Sequence, residues 1–360
     1  MERADVLIVG GGPAGSACAA ALTKAGRDVL LIDAAAFPRD KPCAGWITPE
    51  VLDELPFPLA SYAERHVVQP ISRFRVGTIG GRCVDVGYGA PVSFGIRRVE
   101  LDAELLRRSG ARVVEGERVR RVERRDGAWV LDGRWSASTL VGAGGHFCPV
   151  AGHLGGTADG TPVVVAREVE FPLGPGDREG CRVEEDRPEL YFCRDLRGYG
   201  WCFRKEGWLN VGLGRLDPHG LPGHLDAFLA FLLATRRLRS IPEDGWRGHA
   251  YRVRAGAPRR LCGDGFVLVG DAAGLASPAS GEGILPALVS GRLAAEAILA
   301  SRLREYPGRL DRVLGAPGST RVLPRRIARI VGPPLFAIPW FARRRVLDRA
   351  FLHRTAAARA

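Results

Sequence analysis

Residues 6–33 read VLIVGGGPAGSACAAALTKAGRDVLLID, and this stretch predicts the fold class of the chain. The first four residues form an apolar run that ends at glycine, which is typical of a buried parallel strand. A G-x-G-x-x-G pattern starts at Gly10, a helical pattern covers 14–25, and 29–32 is a second apolar strand. The order of strand, glycine turn, helix and strand predicts a Rossmann-like α/β fold.

The glycines of this stretch have separate physical roles. Gly10 permits the tight turn, Gly12 lets the backbone approach a pyrophosphate, and Gly15 lets the helix pack on the strand. The helix N-terminus adds unpaired N–H groups and a partial positive charge. Asp33 ends the second strand and can accept hydrogen bonds from an adenosine ribose. The predicted dinucleotide cradle comprises Gly10, Gly12, Pro13, Ala14, Gly15 and Asp33.

Length and pattern predict two interleaved domains in the 360 residues. Apolar residues make up 46% of the chain, enough for a sizeable core. Short strand patterns at 72–76, 82–86 and 92–94, and a second group within 163–254, predict a β-sheet-rich substrate domain. The predicted nucleotide domain comprises 1–65, 95–165 and 255–315, the substrate domain comprises 66–94 and 166–254, and a helical segment covers 316–360.

The net charge of +12 is concentrated near the end of the chain. Residues 316–360 carry ten Arg and a single acid, with apolar residues interleaved. Such a segment suits either peripheral contact with anionic lipid or a helical lid with an Arg-rich outer face. We favour the lid. Nucleic acid is excluded as a partner because no basic-aromatic groove or known nucleic-acid motif accompanies the charge.

The eight cysteines point to a reducing compartment. None forms C-x-x-C and no His lies at zinc-finger spacing from a Cys pair, so we predict no metal site. We expect no signal peptide, because the first apolar run is short and belongs to the fold. No apolar run approaches the length that spans a bilayer. These features predict a cytoplasmic protein, with membrane contact limited to the periphery.

A second glycine-rich stretch, 266–284, reads FVLVGDAAGLASPASGEGI. A strand delivers Gly270 and Asp271 at its carboxyl end, where the ligands of parallel sheets bind. Asp271 can accept hydrogen bonds from a polyol chain. The sequence Gly281-Glu282-Gly283 then opens a long helix, whose N-terminus favours a ring that becomes anionic on reduction.

Several motifs together resemble a known group of flavoproteins. GGGPAGSACAAAL with its later Asp, RRVELD at 97–102, LVGAGG at 140–145 and GDAAG…GEGI at 270–284 resemble the FAD-dependent group typified by aromatic hydroxylases. PCAG at 42–45 and GYGWCF at 198–203 are similar to motifs of the geranylgeranyl reductase family. The resemblance covers roughly residues 4–300.

The resemblance implies FAD contacts drawn from distant segments. Arg98 would lie by the pyrophosphate or ribityl chain, Val119 would touch the adenine through its backbone, and Asp271 would meet the ribityl region. Around the isoalloxazine the resemblance implies Ala44 and Gly45 on one side of the ring and Pro278, Gly281, Gly283 and Ile284 on the other, with Gly270 beside Asp271.

The resemblance also implies residues for substrate and chemistry. Tyr199 and Trp201 would wall the substrate cavity; lying two apart on a predicted strand they share one face, which core packing explains equally well. Cys43 would lie across the flavin ring, either as a catalytic thiol that donates a proton or tunes the ring, or as a small residue packed against FAD.

Five positions depart from the family pattern. Gly144 stands where the second acidic motif usually has Asp, and Cys148 and Ala151 replace the following Ser and Arg. Ala44 replaces a glycine, and Arg204 replaces a proline after the aromatic segment. These departures bear on the substrate more than on FAD.

The resemblance implies an FAD-dependent oxidoreductase that reduces C=C bonds of an isoprenoid or other small apolar substrate. An FAD monooxygenase of secondary metabolism and a non-catalytic FAD- or lipid-binding protein are the alternatives. The chain has no second G-x-G-x-x-G, so electrons would come from NAD(P)H bound without its own nucleotide fold or from a reduced protein. The chain lacks the lysine plus W-x-W-x-I-P combination of halogenases.

Overall fold

The computed structural model describes residues 1–155, 162–254, 260–315 and 334–352. Its centre is a six-stranded sheet that is parallel apart from one edge pair. The apolar runs on either side of the glycine turn pair in register, with Val6 opposite Val29. In spatial order the strands are Cys262–Gly263, Phe266–Leu268, Thr139–Gly142, Val6–Val9, Val29–Ile32 and Arg112–Val114. The predicted Rossmann-like class is therefore confirmed.

Two helices lie close together beside this sheet because small residues separate them. Pro13–Lys24 follows the glycine turn, and Ile284–Leu299 follows the second glycine-rich stretch. A Cβ on Gly291 would overlap the carbonyl oxygen of Ala14, so the two backbones touch there. The ends of both helices are thereby fixed relative to the carboxyl edge of the sheet.

A seven-stranded, mainly antiparallel sheet forms the second layer. In spatial order its strands are Arg247–Arg252, Val163–Pro172, Trp208–Arg215, Gly198–Lys205, Glu189–Phe192, Arg73–Thr78 and Cys83–Gly87. The strand period of two sends Cys202 to one face, under the helix Leu221–Ala234. Trp201 and Phe203 point to the other face, where the π-helix Ala342–Phe351 packs.

Two small sheets and several short helices complete the described part of the chain. The four-stranded sheet comprises Glu2–Arg3, Trp135–Ala137, Ala128–Leu131 and Val122–Arg125, and the three-stranded sheet comprises Trp46–Ile47, Ser93–Ile96 and Val68–Ile71. The other helices are Pro49–Glu54, Leu59–Ala63, Arg98–Arg107, Pro149–His153, Pro175–Gly180, Tyr306–Leu314 and Pro339–Phe341, with 3-10 turns at Gly145–Phe147, Gly270–Ala272 and Leu303–Glu305.

Some element boundaries differ from the sequence prediction. The strand expected from residue 118 begins at Val122, because the N–H groups of Arg120 and Arg121 bond to the Asp132 carboxylate instead. The long helix ends at Leu299 rather than 303, since Ser301 takes a left-handed conformation. None of the helices in the described ranges is long and apolar enough to cross a bilayer.

The predicted helical segment 316–360 falls only partly within the described residues. Residues 316–333 and 353–360 lie outside them. Within 334–352, Val346, Leu347 and Phe351 are buried against the seven-stranded sheet, while Arg343–Arg345 are exposed. The described part therefore covers the sheet with its apolar face and presents arginines outward.

Candidate active site

A cavity of about 570 Å³ lies between the carboxyl edge of the six-stranded sheet and the seven-stranded sheet. Its walls bring together segments from both ends of the chain. Among the residues predicted from sequence, it is lined by Gly10, Gly12, Pro13, Ala14, Asp33, Cys43, Ala44, Arg98, Val119, Tyr199, Trp201, Gly270, Asp271, Gly281, Gly283 and Ile284.

Three predicted residues lie outside the cavity wall. Gly15 faces the turn, where a Cβ would overlap the carbonyl oxygen of Gly10. Gly45 has φ +67° and packs against the carbonyl of Ile96. Pro278 is exposed, since its turn directs Ser280 rather than Pro278 towards the cavity. Pro278 is therefore not placed to contact a ring bound in the cavity.

One end of the cavity is lined by the N-terminus of the helix Pro13–Lys24. A Cβ on Gly12 would enter space whose nearest atom is Nη2 of Arg39, 3.3 Å away. Asp33 braces the same turn: Oδ2 accepts the N–H of Gly11 at 2.6 Å, and Oδ1 accepts that of Ala35 at 2.8 Å. The turn therefore presents backbone donors to the cavity without side chains in front of them.

Buried cations stand beside this turn. Arg98, 8% exposed, makes two hydrogen bonds to Asp102, of 2.7 and 2.8 Å. Burial opposes its charge, but Asp102 and then Cys43 outweigh that effect and hold the pKa of the guanidinium above its usual value. Arg39 also reaches Asp102, at 3.2 Å. A single carboxylate thus orients two guanidinium groups.

Lys41, His249 and Asp271 form a second charged group on the wall. Lys41 Nζ lies 2.7 Å from Nε2 of His249, which lies 3.4 Å from Oδ2 of Asp271. Burial lowers the pKa of Lys41 to about 8, although Asp271 opposes the shift. Burial also lowers the pKa of His249, while His249 and Lys41 outweigh burial to hold the pKa of Asp271 low.

The opposite end of the cavity is lined by the N-terminus of the helix Ile284–Leu299. Gly281 has φ +77° and lies against the hydroxyl of Tyr251, which leaves no room for a side chain. Gly283 is the N-cap residue, and its nearest neighbour for a Cβ is Oδ1 of Asp271 at 3.4 Å. Two helix N-termini therefore face one cavity, each through glycine.

Aromatic side chains form the wall on the side of the seven-stranded sheet. Tyr199 donates its hydroxyl proton to the carbonyl of Ser280 at 2.5 Å, and Trp201 donates from Nε1 to Oδ1 of Asn210 at 2.7 Å. Phe351 stacks on Trp46 with ring centroids 5.3 Å apart. The rings of Tyr199, Trp201 and Phe351 line the cavity, as do those of Trp46 and Tyr251. This side suits an apolar ligand.

Glu168 is a buried acid on this same side. It belongs to the strand Val163–Pro172, is 5% exposed and lines the cavity. Oε1 accepts the N–H of Cys43 at 2.6 Å. Burial raises the pKa of Glu168 to about 7, and the Cys43 N–H and then Lys205 act against the shift.

Sequence reasoning missed several charged residues of the cavity, among them Arg39, Lys41, Glu168 and His249. Arg39 and Lys41 lie in the loop PRDKPC, where their position beside the predicted PCAG motif was a usable signal. Glu168 and His249 lie on strands of the other sheet, and Ala166 pairs with His249 across two of these strands. No local pattern distinguishes them from other polar residues of alternating strands.

The residues present fit FAD. A dinucleotide needs donors for two phosphates, and the cavity offers an open helix N-terminus next to Arg39, Arg98 and Lys41. The second helix N-terminus suits the anionic reduced ring. The model of the NAD(P)-binding Rossmann-like domain family matches residues 8–62. Fold and site define the class, an FAD-dependent oxidoreductase.

Relatives place the chain more narrowly. The menaquinone reductase of Mycobacterium tuberculosis is 33% identical over 93% of this chain and 86% of its own length. The chloroplastic geranylgeranyl diphosphate reductase of Oryza sativa is 32% identical over 87% and 72%. A geranylgeranyl bacteriochlorophyll reductase-like protein of Thermoplasma acidophilum shares the fold, with TM-score 0.71, 22% identity, and coverage of 94% and 88%. The chain belongs to the geranylgeranyl reductase family.

Proposed function

We propose that the protein reduces C=C bonds of a prenyl chain on an apolar substrate. The observation that carries the proposal is a single cavity joining two glycine-lined helix N-termini to the aromatic wall of Tyr199, Trp201 and Phe351. The family relatives named for menaquinone and for geranylgeranyl diphosphate support a prenyl substrate. The chain departs from the family pattern at Gly144, Cys148, Ala151, Ala44 and Arg204. Its prenyl substrate could therefore differ from those for which the relatives are named.

We assign the ADP half of FAD to the end of the cavity nearest Gly12. Gly12 and Ala14 would present backbone N–H donors to the diphosphate, Gly10 and Pro13 would line its cradle, and Arg39 and Lys41 would add charge. Asp33 would hold the ribose with the lone pairs that its backbone contacts leave, and Val119 would lie at the adenine. Gly15 would act indirectly, by keeping the helix on the strand.

We assign the isoalloxazine to the end of the cavity nearest Gly283. Gly270, Gly281, Gly283 and Ile284 would line one side of the ring, and Cys43 and Ala44 the other, with Arg98 and Asp271 at the chain that links the halves. When bound and reduced, FAD supplies a hydride to an alkene carbon. The protein's part is to orient the alkene along the aromatic wall and to exclude water.

We propose NAD(P)H or a reduced protein as the electron donor. The glycine motif at Gly10 would be taken by FAD, and the sequence has no second one. A donor would therefore meet the ring only briefly, through the same opening as the substrate.

We propose that the domains divide as the sequence predicts, so that FAD is held by the discontinuous segments of the six-stranded sheet and the substrate by the seven-stranded sheet. The segment 334–352 would be a lid over this second sheet. Its outer face carries Trp340 and Ile338, 61% and 46% exposed, among the exposed Arg343–Arg345. We propose that this face rests on anionic lipid, which would bring a prenyl substrate to the cavity.

The reaction is tested without oxygen. FAD-loaded protein is reduced with dithionite and mixed with geranylgeranyl diphosphate or menaquinone, and mass spectrometry follows the prenyl chain. The expected product gains two hydrogen atoms per reduced double bond, with reoxidation of the flavin. Protein with Gly12→Val, expected to lack flavin, is the control. The proposal is overturned by a chain that gains no hydrogen, or by product formed only in air and carrying oxygen.

The lipid contact is tested by sedimentation with vesicles of phosphatidylglycerol or of phosphatidylcholine. We expect pelleting with the anionic vesicles alone, weakened in Trp340→Ala and Arg345→Ala. Equal recovery of the protein in the supernatant with both kinds of vesicle would contradict the membrane contact. The segment 334–352 would then serve only as a lid.

A further inference from the structure

Glu168 is a buried acid in the cavity with one committed and one free oxygen. Oε1 is fixed by the N–H of Cys43 at 2.6 Å. Oε2 is buried and has no hydrogen-bond partner within the described ranges. An unpartnered buried carboxylate oxygen is costly when charged, so the carboxyl group favours a proton on that oxygen.

The groups around Glu168 offset the cost of burying its negative charge only in part. Lys205 is the buried cation nearby, but its Nζ pairs with Glu170 at 2.5 Å and donates to the carbonyls of Ala44 and Ile96. The Glu170 carboxylate itself disfavours a second charge. Asn210 accepts a hydrogen bond from Nε1 of Trp201 and lies beside the carbonyl of Cys43; its amide also favours the charged form of Glu168, but by less than burial opposes it.

Glu168 also sits where a substrate would lie. Its strand pairs with Trp208–Arg215 so that Glu168 is opposite Gly212. A Cβ on Gly212 would lie 2.7 Å from the Cβ of Glu168 and would overlap the Trp201 ring, so the absent side chain lets ring and acid stand side by side. The acid therefore lies between the Cys43 loop and the aromatic wall.

We propose that Glu168 is the proton donor of the reaction, through the proton on Oε2. This inference rests on the proposed reduction of C=C bonds. One alkene carbon takes the hydride that reduced FAD supplies, and its neighbour takes the Glu168 proton. The π bond breaks and two C–H bonds form, so the alkene gains two electrons and the flavin loses two. Glu168 is left as carboxylate and regains its proton from water.

The adjoining proton-bearing groups are less suited to this role. The Cys43 sulfur is already engaged, since it accepts the N–H of Gly45 at 3.5 Å and lies near the Arg98 guanidinium. Tyr199 commits its proton to the Ser280 carbonyl, and burial raises the pKa of that phenol further above its usual value. Glu168 combines a free oxygen with a pKa of about 7, near the value that suits a general acid at neutral pH.

The test compares the wild type with Glu168→Gln, Glu168→Asp and the exposed control Glu179→Gln. Gln keeps the size of the side chain and an oxygen for the Cys43 N–H, so folding is preserved. Anaerobic stopped flow separates reduction of bound FAD from its reoxidation by the alkene. We expect Glu168→Gln to slow reoxidation by roughly 10²- to 10⁴-fold with flavin reduction unchanged, and Glu168→Asp to restore part of the rate.

A second readout needs neither flavin nor substrate. Infrared difference spectra of the apoprotein, wild type minus Glu168→Gln, should show a protonated carboxyl band that disappears as the pH rises through about 7. In the wild type the reoxidation rate should fall over the same range, because the proton donor is lost, and this dependence should be absent in Glu168→Gln.

The outcomes separate the two proposals. Equal reoxidation rates and pH profiles in the wild type and Glu168→Gln, or a carboxylate ionised throughout roughly pH 5–9, overturn the role of Glu168 alone. A wild type that reduces no alkene at all, with the carboxyl titrating as expected, overturns the proposed function and the catalytic role that rests on it.

Discussion

The two walls of the cavity are built by different means. The wall on the six-stranded sheet consists largely of backbone: Gly10, Gly12, Gly281 and Gly283 hold positions where a side chain would meet another atom or fill the cavity. The wall on the seven-stranded sheet consists of side chains, with Trp201 and Glu168 packed side by side across the strand Trp208–Arg215, which lies between their own strands. A common cofactor can thus be recognised by main chain while the chemistry and the substrate are set by residues open to exchange.

We expect the largest effect from a substitution in the backbone wall at Gly12. Gly12 has φ −69°, which valine tolerates, so Gly12→Val should leave the fold intact and fill the cradle. We expect a loss of about 3 kcal/mol or more in FAD affinity, roughly a hundredfold in dissociation constant. Flavin absorbance after reconstitution and the Tm of the apoprotein measure the two effects. A variant that binds FAD as well as the wild type would show that the backbone is not the cradle.

The close contact between the two helices behind the backbone wall gives the next largest expected effect, on the free energy of unfolding. In Gly291→Ala the new Cβ would overlap the carbonyl oxygen of Ala14, so we expect a loss of about 1–3 kcal/mol in the free energy of unfolding. The matched control is Gly308→Ala at an exposed position of the helix Tyr306–Leu314, where nothing lies within reach of a Cβ. That variant should gain about 0.5–1 kcal/mol. Denaturant titration of both apoproteins checks the sign; equal stabilities would refute the close helix contact.

Substitution of Lys41 should have the smallest effect, a loss of FAD affinity that depends on pH. Its pKa is about 8 in the free protein, and a bound diphosphate would raise it. Because the bound state has the higher pKa, the contribution of Lys41 to affinity is complete below pH 8 and declines as the pH rises above it. Lys41→Met should weaken FAD binding by about 1.5 kcal/mol at pH 7 and remove this decline.

Isothermal titration calorimetry in buffers of different ionisation heats measures the proton taken up with FAD by the wild type near pH 8. The same proton uptake in Lys41→Met would show that Lys41 is not the group that takes up the proton. The control is Arg118→Gln on the cavity rim, which keeps Lys41 and should keep the uptake.

The first wall could be predicted from the sequence because its requirements are local. A position that cannot accept a Cβ requires glycine wherever the motif occurs, so the spacing of the motifs predicts Gly12 and Gly283. Asp33 and Asp271 each stand at the end of a predicted strand, and all four residues line the cavity. Pro278 belongs to the same motif, but the direction of its turn depends on the contact between Tyr199 and Ser280 and could not be predicted.

The second wall could be predicted only in outline. The spacing of Tyr199 and Trp201 predicts a shared strand face, but only the family resemblance pointed to the cavity that both residues line. Glu168 and His249 gain their positions from pairing between strands distant in sequence, and Gly212 makes room for an acid that no motif marks. Arg39 and Lys41 lie in the loop beside the PCAG motif, and this position was the usable signal for them.

The chain order of the six-stranded sheet constrains when the protein can acquire its cofactor. The strand Val6–Val9 leaves the ribosome early, yet Thr139–Gly142 must insert beside it, and Phe266–Leu268 must then pair with that strand. The end of the cavity that we assign to the ring is incomplete until Gly283 is synthesised, and Phe351 follows later still. Such long-range pairing is slow. Flavin loading is therefore an event of the completed polypeptide, and a nascent chain halted before residue 283 would remain unpigmented.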